Sequence, residues 1–184
     1  NKKLIKFNIP TLNGYHQIEN VTLAIAAIFE IHKLGYKIKL NIINNAIVKT
    51  KWPGRLEKGY LKKIPVYIDG AHNVEGASQL IKFFKNKYKN IWIIFGMLNN
   101  KDITNFLIIM KKIVSGVIAI RIPDEKNSFT TQEIFATCAK LNIRCIKQKS
   151  IKSSKQLLIK KIKPELIIVT GSLYLVGKIR KLFV

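Results

Sequence analysis

Apolar residues recur along this chain at two spacings, one helical and one strand-like, and the change from the first to the second organises it. From Glu19 to Leu34 the positions Val21, Leu23, Ala24, Ala27, Ile28, Ile31 and Leu34 form a helical apolar stripe, and Gly35 follows where helices end. A shorter helical stretch is expected over Leu40 to Val48. Ahead of both, the alternation of Leu4–Ile9 predicts a strand ended by Pro10, with a turn at Thr11-Leu12-Asn13-Gly14. Trp52-Pro53-Gly54-Arg55 then breaks the pattern and marks a domain boundary, with residues 1–51 before it and 52–184 after it.

Beyond the boundary, short apolar runs alternate with amphipathic ones. Leu56–Leu61 and Val66–Ile68 read as a hairpin pair of strands, and Ile91–Phe95, Val117–Ile120, Ile143–Ile146 and Leu166–Val169 as further strands. Helical patterns fill the gaps at 74–88, 102–112, 132–141, 153–162 and 172–182, the third opened by a capping box over Thr130 to Glu133. This alternation predicts βαβ units: an α/β, Rossmann-like, mostly parallel sheet flanked by helices. No internal repeat is visible.

Composition changes the picture little. The formal net charge of +23 invites a nucleic-acid reading, but only 4 of the 33 basic residues are Arg, and the lysines spread over every expected helix. Base and bidentate phosphate recognition favour Arg, so a solvated Lys-rich surface is the preferred reading. That surface can still draw anionic substrates inward. No apolar run spans a bilayer and no signal peptide is recognisable, so a cytoplasmic protein with no membrane partner is expected. Cys138 and Cys145 are expected to be free thiols. Asn1 is not an initiator Met and the chain opens inside an expected strand, so a fragment of a longer protein is expected.

Candidate chemistry collects at strand ends. Ile64-Pro65-Val66-Tyr67-Ile68 leads to Asp69, Gly70, Ala71, His72 and the helix N-cap Asn73. An acid, an imidazole and free backbone N–H groups therefore meet at a strand-to-helix turn, where α/β sheets bind ligands and helix N-termini favour anions. Thr170-Gly171-Ser172 repeats the arrangement, with Ser172 either capping its helix or touching a ligand. Phe95-Gly96-Met97 with Lys101-Asp102 lies at a third strand end, Asp102 reading as an N-cap. All three turns are expected on one edge of the sheet. Arg55, a rare Arg after Pro-Gly, is a candidate anion ligand. His32, inside an apolar helix, reads as a surface or packing residue. Neither a G-x-G-x-x-G fingerprint nor a phosphate loop is present, no nucleophile elbow occurs, and Asp69-x-x-His72 alone is a poor metal signal.

Four segments in register resemble one family: His16-Gln17-x-x-Asn20, Trp52-Pro53-Gly54-Arg55-Leu56-Glu57, Asp69-Gly70-Ala71-His72-Asn73, and Gly171-Ser172-Leu173-Tyr174-Leu175-Val176-Gly177. Together, from about His16 to Arg180, they resemble the folylpolyglutamate synthase/dihydrofolate synthase family, a branch of the Mur ligases. The resemblance implies that residues 1–51 are the tail of an ATPase domain and 52–184 a Rossmann-like C-terminal domain. It implies ATP-dependent joining of L-glutamate to a dihydropteroate or folate carboxylate through an acyl phosphate, with ATP and Mg²⁺ required and the metal ligands upstream of this chain. By the same resemblance, Asn20, Arg55 and Asp69 belong to ATP. Asp69 either meets the ribose or steadies Arg55. His72 is catalytic and, with Ser172, faces glutamate. No residue here is assigned to metal. Where the family often has Asp-Lys-Asp, this chain has Asn100-Lys101-Asp102, and no role is carried over to Lys101. A monomer acting on small molecules is implied, inactive as this fragment alone. Two other readings stand beside it: a different Mur-type amide ligase, and a self-contained basic α/β module binding RNA or another polyanion.

Overall fold

A computed structural model describes residues 4–184. The chain divides into two compact units, one running through Pro53 and the other from Gly54 to Val184.

The first unit holds two helices, α1 (His16–Lys33) and α2 (Leu40–Lys49). α1 begins a turn earlier than the apolar stripe alone suggests, because the carbonyls of Gly14 and Tyr15 accept from Gln17 and Ile18 N–H. It ends as expected, with Gly35 at φ +99° and its N–H on His32 O at 3.1 Å. The strand expected over Leu4–Ile9 does not form: residues 4–10 are irregular. A strand needs a ladder partner, and the described residues of this unit contain none. The segment is tied down by side chains instead, Asn8 N–H donating to Asn44 Oδ1 at 2.8 Å and Thr11 Oγ1 donating to the carbonyls of Val48 and Thr50.

The second unit is a six-stranded sheet in the order β1-β2-β6-β3-β4-β5. The strands are β1 (Glu57–Leu61), β2 (Ile64–Ile68), β3 (Ile91–Phe95), β4 (Gly116–Ala119), β5 (Cys145–Lys147) and β6 (Leu166–Thr170). β1 and β2 are the expected antiparallel hairpin, turning through Lys62 at φ +56°, and every other pairing is parallel. The helices are α3 (Val74–Phe84), α4 (Ile103–Met110), α5 (Thr131–Lys140), α6 (Ile151–Leu157) and α7 (Leu173–Ile179).

β3, β4 and β6 are buried at every position, which is why they read as unbroken apolar runs. Their alternate residues feed two cores. Ile93, Phe95, Val117 and Ile168 pack with Leu80, Phe106 and Ile134 of α3, α4 and α5. Trp92, Ile94, Ile118 and Val169 pack with Ile151, Leu175 and Ile179 of α6 and α7.

Several element boundaries differ from the sequence pattern by a few residues, and three of the shifts have a clear local reason. α3 stops at Phe84, where Lys85 N–H closes on Ile81 O and Asn86 turns left-handed at φ +63°. β5 starts two residues late because Ile143 N–H is spent on Cys138 O, closing α5. α6 starts early, at a capping box made by Ser150 and Ser153, and then widens into a π-helical turn, Leu158–Ile162. The box at Thr130 and Glu133 forms as expected. Both cysteines are free, Cys138 buried and Cys145 half-buried.

Candidate active site

β2, β6 and β3 lie side by side and parallel, so the carboxyl ends at Ile68, Thr170 and Phe95 fall on one edge. The first two turns are stitched together directly. Gly171 N–H donates to Ala71 O at 2.9 Å, and Thr170 Oγ1 donates to the same carbonyl at 3.3 Å. Gly171 sits at φ +109°, and a Cβ there would meet Gly96 O of the third turn at 2.6 Å. Any larger residue would therefore push the three turns apart.

Asp69 is 6% exposed, and both carboxylate oxygens are engaged by backbone. Oδ2 accepts from Leu56 N–H at 2.9 Å and Oδ1 from Ala71 N–H at 2.8 Å. Gly70 N–H donates to Gly54 O at 2.9 Å. Asp69 thus ties the Gly54–Leu56 turn, and with it Arg55, to the end of β2. Arg55 is half-buried. Its near neighbour in sequence, Glu57, is committed elsewhere: Glu57 takes the Arg180 guanidinium through both oxygens, at 2.6 to 3.0 Å, and Gly54 N–H at 2.9 Å. The guanidinium holds the Glu57 carboxyl below its ordinary range, against the opposing effect of burial. No carboxylate among the described residues pairs with Arg55, whose charge is left for something else.

His72 is oriented by its own turn. Nδ1 lies 2.8 Å from Gly70 O, and a carbonyl can only accept, so Nδ1 carries the hydrogen and Nε2 of the neutral ring is the acceptor. Asn73 Oδ1 accepts from Gly76 N–H at 2.8 Å and caps α3. Ser172 is buried, and its Oγ accepts from Tyr174 N–H at 3.1 Å at the start of α7. It is a cap, and it also lines a cavity. Asp102 is a cap as well, accepting from Asn105 N–H at 3.0 Å, and this bond lowers its pKa.

The cavity has a volume of about 190 Å³ and is walled by His72, Leu98, Asn100, Lys101, Gly171, Ser172, Leu173 and Tyr174. It gathers residues from all three turns. His72 and Ser172 are brought together as the sequence suggests. Lys101, Asn100 and Tyr174 are additions: Lys101 sits six residues past the end of β3, at a loop position that no periodicity marks. Between Asn100 and Asp102, the sequence names it at the third strand end without giving it a role. Asn20 lies on α1 in the first unit, where its Nδ2 donates to Gln17 Oε1 at 3.3 Å. No group of three or more His, Cys, Asp or Glu side chains able to hold a metal ion occurs among the described residues.

A family profile described as the C-terminal domain of dihydrofolate synthetase matches residues 55–182. The dihydrofolate synthase/folylpolyglutamate synthase of Bacillus subtilis (strain 168) is 29% identical over 174 residues, covering 93% of this chain and 40% of that protein. Among solved structures, Mycobacterium tuberculosis folylpolyglutamate synthase complexed with ADP and AMPPCP superimposes with a TM-score of 0.79 at 21% identity, over 94% of this chain and 41% of that one. At that identity the likeness is one of fold. A folylpolyglutamate synthase from Thermotoga maritima superimposes with a TM-score of 0.70 at 26% identity, over 94% of this chain and 39% of the other. The chain spans about two fifths of the length of the curated relatives it matches.

Proposed function

The chain belongs to the dihydrofolate synthetase family, whose C-terminal domain it contains, and from that premise we propose that it forms the glutamate-handling side of an ATP-dependent ligase. The whole enzyme joins L-glutamate to a dihydropteroate or folate carboxylate in the cytoplasm, as a monomer. One observation carries the reading: His72, Ser172 and Lys101, from three adjacent strand ends, wall one cavity.

The reaction divides into two balanced steps. The pterin-bearing carboxylate attacks the γ-phosphorus of ATP, ADP leaves, and an acyl phosphate forms. The glutamate amine then attacks the acyl carbon, and inorganic phosphate leaves with the C–O electron pair. The ammonium of glutamate must lose a proton before it attacks. His72 Nε2, left free by the bond from Nδ1–H to Gly70 O, is the group to take it. Lys101 supplies positive charge for a glutamate carboxylate, and Ser172 a hydroxyl beside it. Arg55 serves the phosphates of ATP, since no carboxylate among the described residues pairs with it and its planar fork suits phosphoryl oxygens. Asp69 positions Arg55 through the Leu56 N–H, and Asn20 serves the adenosine side. The described residues do not fit a Mg²⁺ site, so no step here runs through the metal.

The test is made in the full-length ligase. His72→Ala and Ser172→Ala should each raise the KM for glutamate by roughly ten-fold or more, the worth of one lost ionic or well-placed hydrogen bond, while the KM for ATP moves far less. If the two residues serve only their own turns, His72 through its bond to Gly70 O and Ser172 as the α7 cap, the thermal midpoint falls, by about 1 kcal/mol of stability, and the glutamate KM stays put. That outcome would move the glutamate site elsewhere.

A further inference from the structure

A second cleft opens on the opposite edge of the sheet from the three turns. Its walls come from the amino ends of the central strands: Asn90 and Trp92 at β3, Ser115 before β4, Arg144 and Ile146 at β5, and Leu157, Lys161 and Ile162 from α6 and its π-helical turn. Its volume is about 290 Å³, larger than the cavity at the carboxyl edge. The length of β3, five residues, puts about 15 Å between the two edges.

The chemistry of this cleft is two-sided. Trp92, Ile146, Leu157 and Ile162 give it apolar walls. Trp92 is 2% exposed, and its ring lies across β4 at Gly116, where a Cβ would come within 2.5 Å of the indole. The Arg144 guanidinium sits 5.2 Å from the indole centroid. Lys161 supplies a second cation, and Asn90 and Ser115 add neutral polar groups. No carboxylate is among the lining residues. Glu165, close by in sequence, points an oxygen at Lys89 N–H instead, at 2.8 Å. Among the described residues, neither Arg144 nor Lys161 has an ion-pair partner.

The π-helical turn reinforces the assignment. A regular α-helix through Leu158–Ile162 would rotate Lys161 and Ile162 away from their present bearing. The wide turn is instead closed by Lys163 N–H on Leu158 O at 2.8 Å, with Lys163 left-handed at φ +49°. Such turns are uncommon, and they concentrate where side chains must be re-aimed for function.

We propose that this cleft is a binding site for a small organic anion with a flat apolar body. The body lies against Trp92, Ile146 and Ile162, and a carboxylate or phosphate head meets Arg144 and Lys161. The site is separate from the ligation centre and does not depend on the reading of that centre.

The test uses the full chain with Trp52→Phe, which leaves Trp92 as the sole tryptophan of the two. The probes are 4-nitrobenzoate, 4-nitrophenyl phosphate, neutral nitrobenzene and inorganic phosphate, read by quenching of Trp92 emission and by calorimetry. Saturable quenching by one or both nitroaromatic anions is expected, with one ligand per chain. The tighter of the two identifies the head group. Nitrobenzene and inorganic phosphate should each bind roughly ten-fold or more weakly, since each lacks one half of the ligand. Arg144→Ala with Lys161→Ala should weaken the anions by a similar factor in a chain that still folds cooperatively, both side chains being exposed. Non-saturable quenching overturns the proposal. So does anion affinity unchanged in the double variant, or binding of nitrobenzene as tight as that of the anions.

Discussion

The two units differ less in sequence than in what their apolar residues touch. α1 carries a long apolar stripe, yet Leu23 is 69% exposed, its C-cap Leu34 is 77% exposed, and of its residues only Gln17 is buried. α4, shorter and more apolar, buries Ile103, Phe106, Leu107 and Met110. The difference is the surface each helix is offered. The sheet of the second unit presents two apolar faces, and each flanking helix covers part of one. The described residues of the first unit offer α1 no sheet, and the irregular segment before it supplies Phe7, edge-on to Phe29 at 6.3 Å. Helix formation is written in local spacing, whereas burial depends on a partner surface.

If the second unit is complete as a folding unit but only half of a catalyst, the largest expected effect is on turnover. The chain alone should neither hydrolyse ATP nor ligate glutamate, because phosphoryl transfer needs a phosphate cradle and metal that these residues do not supply. ATP- and glutamate-dependent product from the isolated chain would break the comparison outright.

Stability should divide the same way. Phe106, fully buried and stacked 5.3 Å from Phe95, should cost about 3–5 kcal/mol when replaced by Ala. Leu23→Ala on α1 should fall within about 0.5 kcal/mol of the parent. Denaturant titration of both variants decides it, and equal losses would mean that the exposed stripe of α1 carries as much of the stability as the core.

Arg55→Lys keeps the charge and discards the fork. In the full-length ligase it should cost about 1–4 kcal/mol of transition-state stabilisation, seen as lower kcat/KM for ATP with an unchanged thermal midpoint. Near-parental turnover would remove Arg55 from the phosphate side.

The smallest effect sharpens the structural role of Glu57. Its bidentate pair with Arg180, which is about a third exposed, should contribute on the order of 1 kcal/mol after solvent screening. The folded carboxyl titrates below its ordinary value of 4.5. The contribution is therefore fully present above about pH 4.5 and lost as pH falls through the lowered folded value. Glu57→Gln should be less stable than the parent near neutrality and converge with it in acid. A gap that persists at low pH would contradict the pairing.

Much of the fold was legible because parallel strands announce themselves. Ile91-Trp92-Ile93-Ile94-Phe95 has only one reading, and Asn73, Thr130 and Ser172 cap where their side chains predict. Leu4–Ile9 misleads because alternation specifies a strand only if an edge is available to pair with it. The π-helical turn was invisible, since Leu158–Ile162 reads as ordinary helix. In the site, His72 and Ser172 could be picked out singly from strand, glycine and cap. Their meeting depends on β6 inserting between β2 and β3, which joins Ala71 to Thr170 across 99 residues. Lys101 could be named at the third strand end but given no role, because a loop, not a periodic element, brings it to the cavity.

Lys101 therefore offers the most direct test that the three turns act as one glutamate pocket. It caps no helix and has no ion-pair partner among the described residues, so changing its charge should leave the fold alone. The measurement is the KM for glutamate of Lys101→Glu in the full-length ligase, with the KM for ATP and the thermal midpoint taken alongside. A rise of roughly a hundred-fold for glutamate is expected, from losing an attraction and gaining a repulsion, with the other two quantities near parental values. An unchanged glutamate KM in a folded enzyme that still binds ATP would contradict the account.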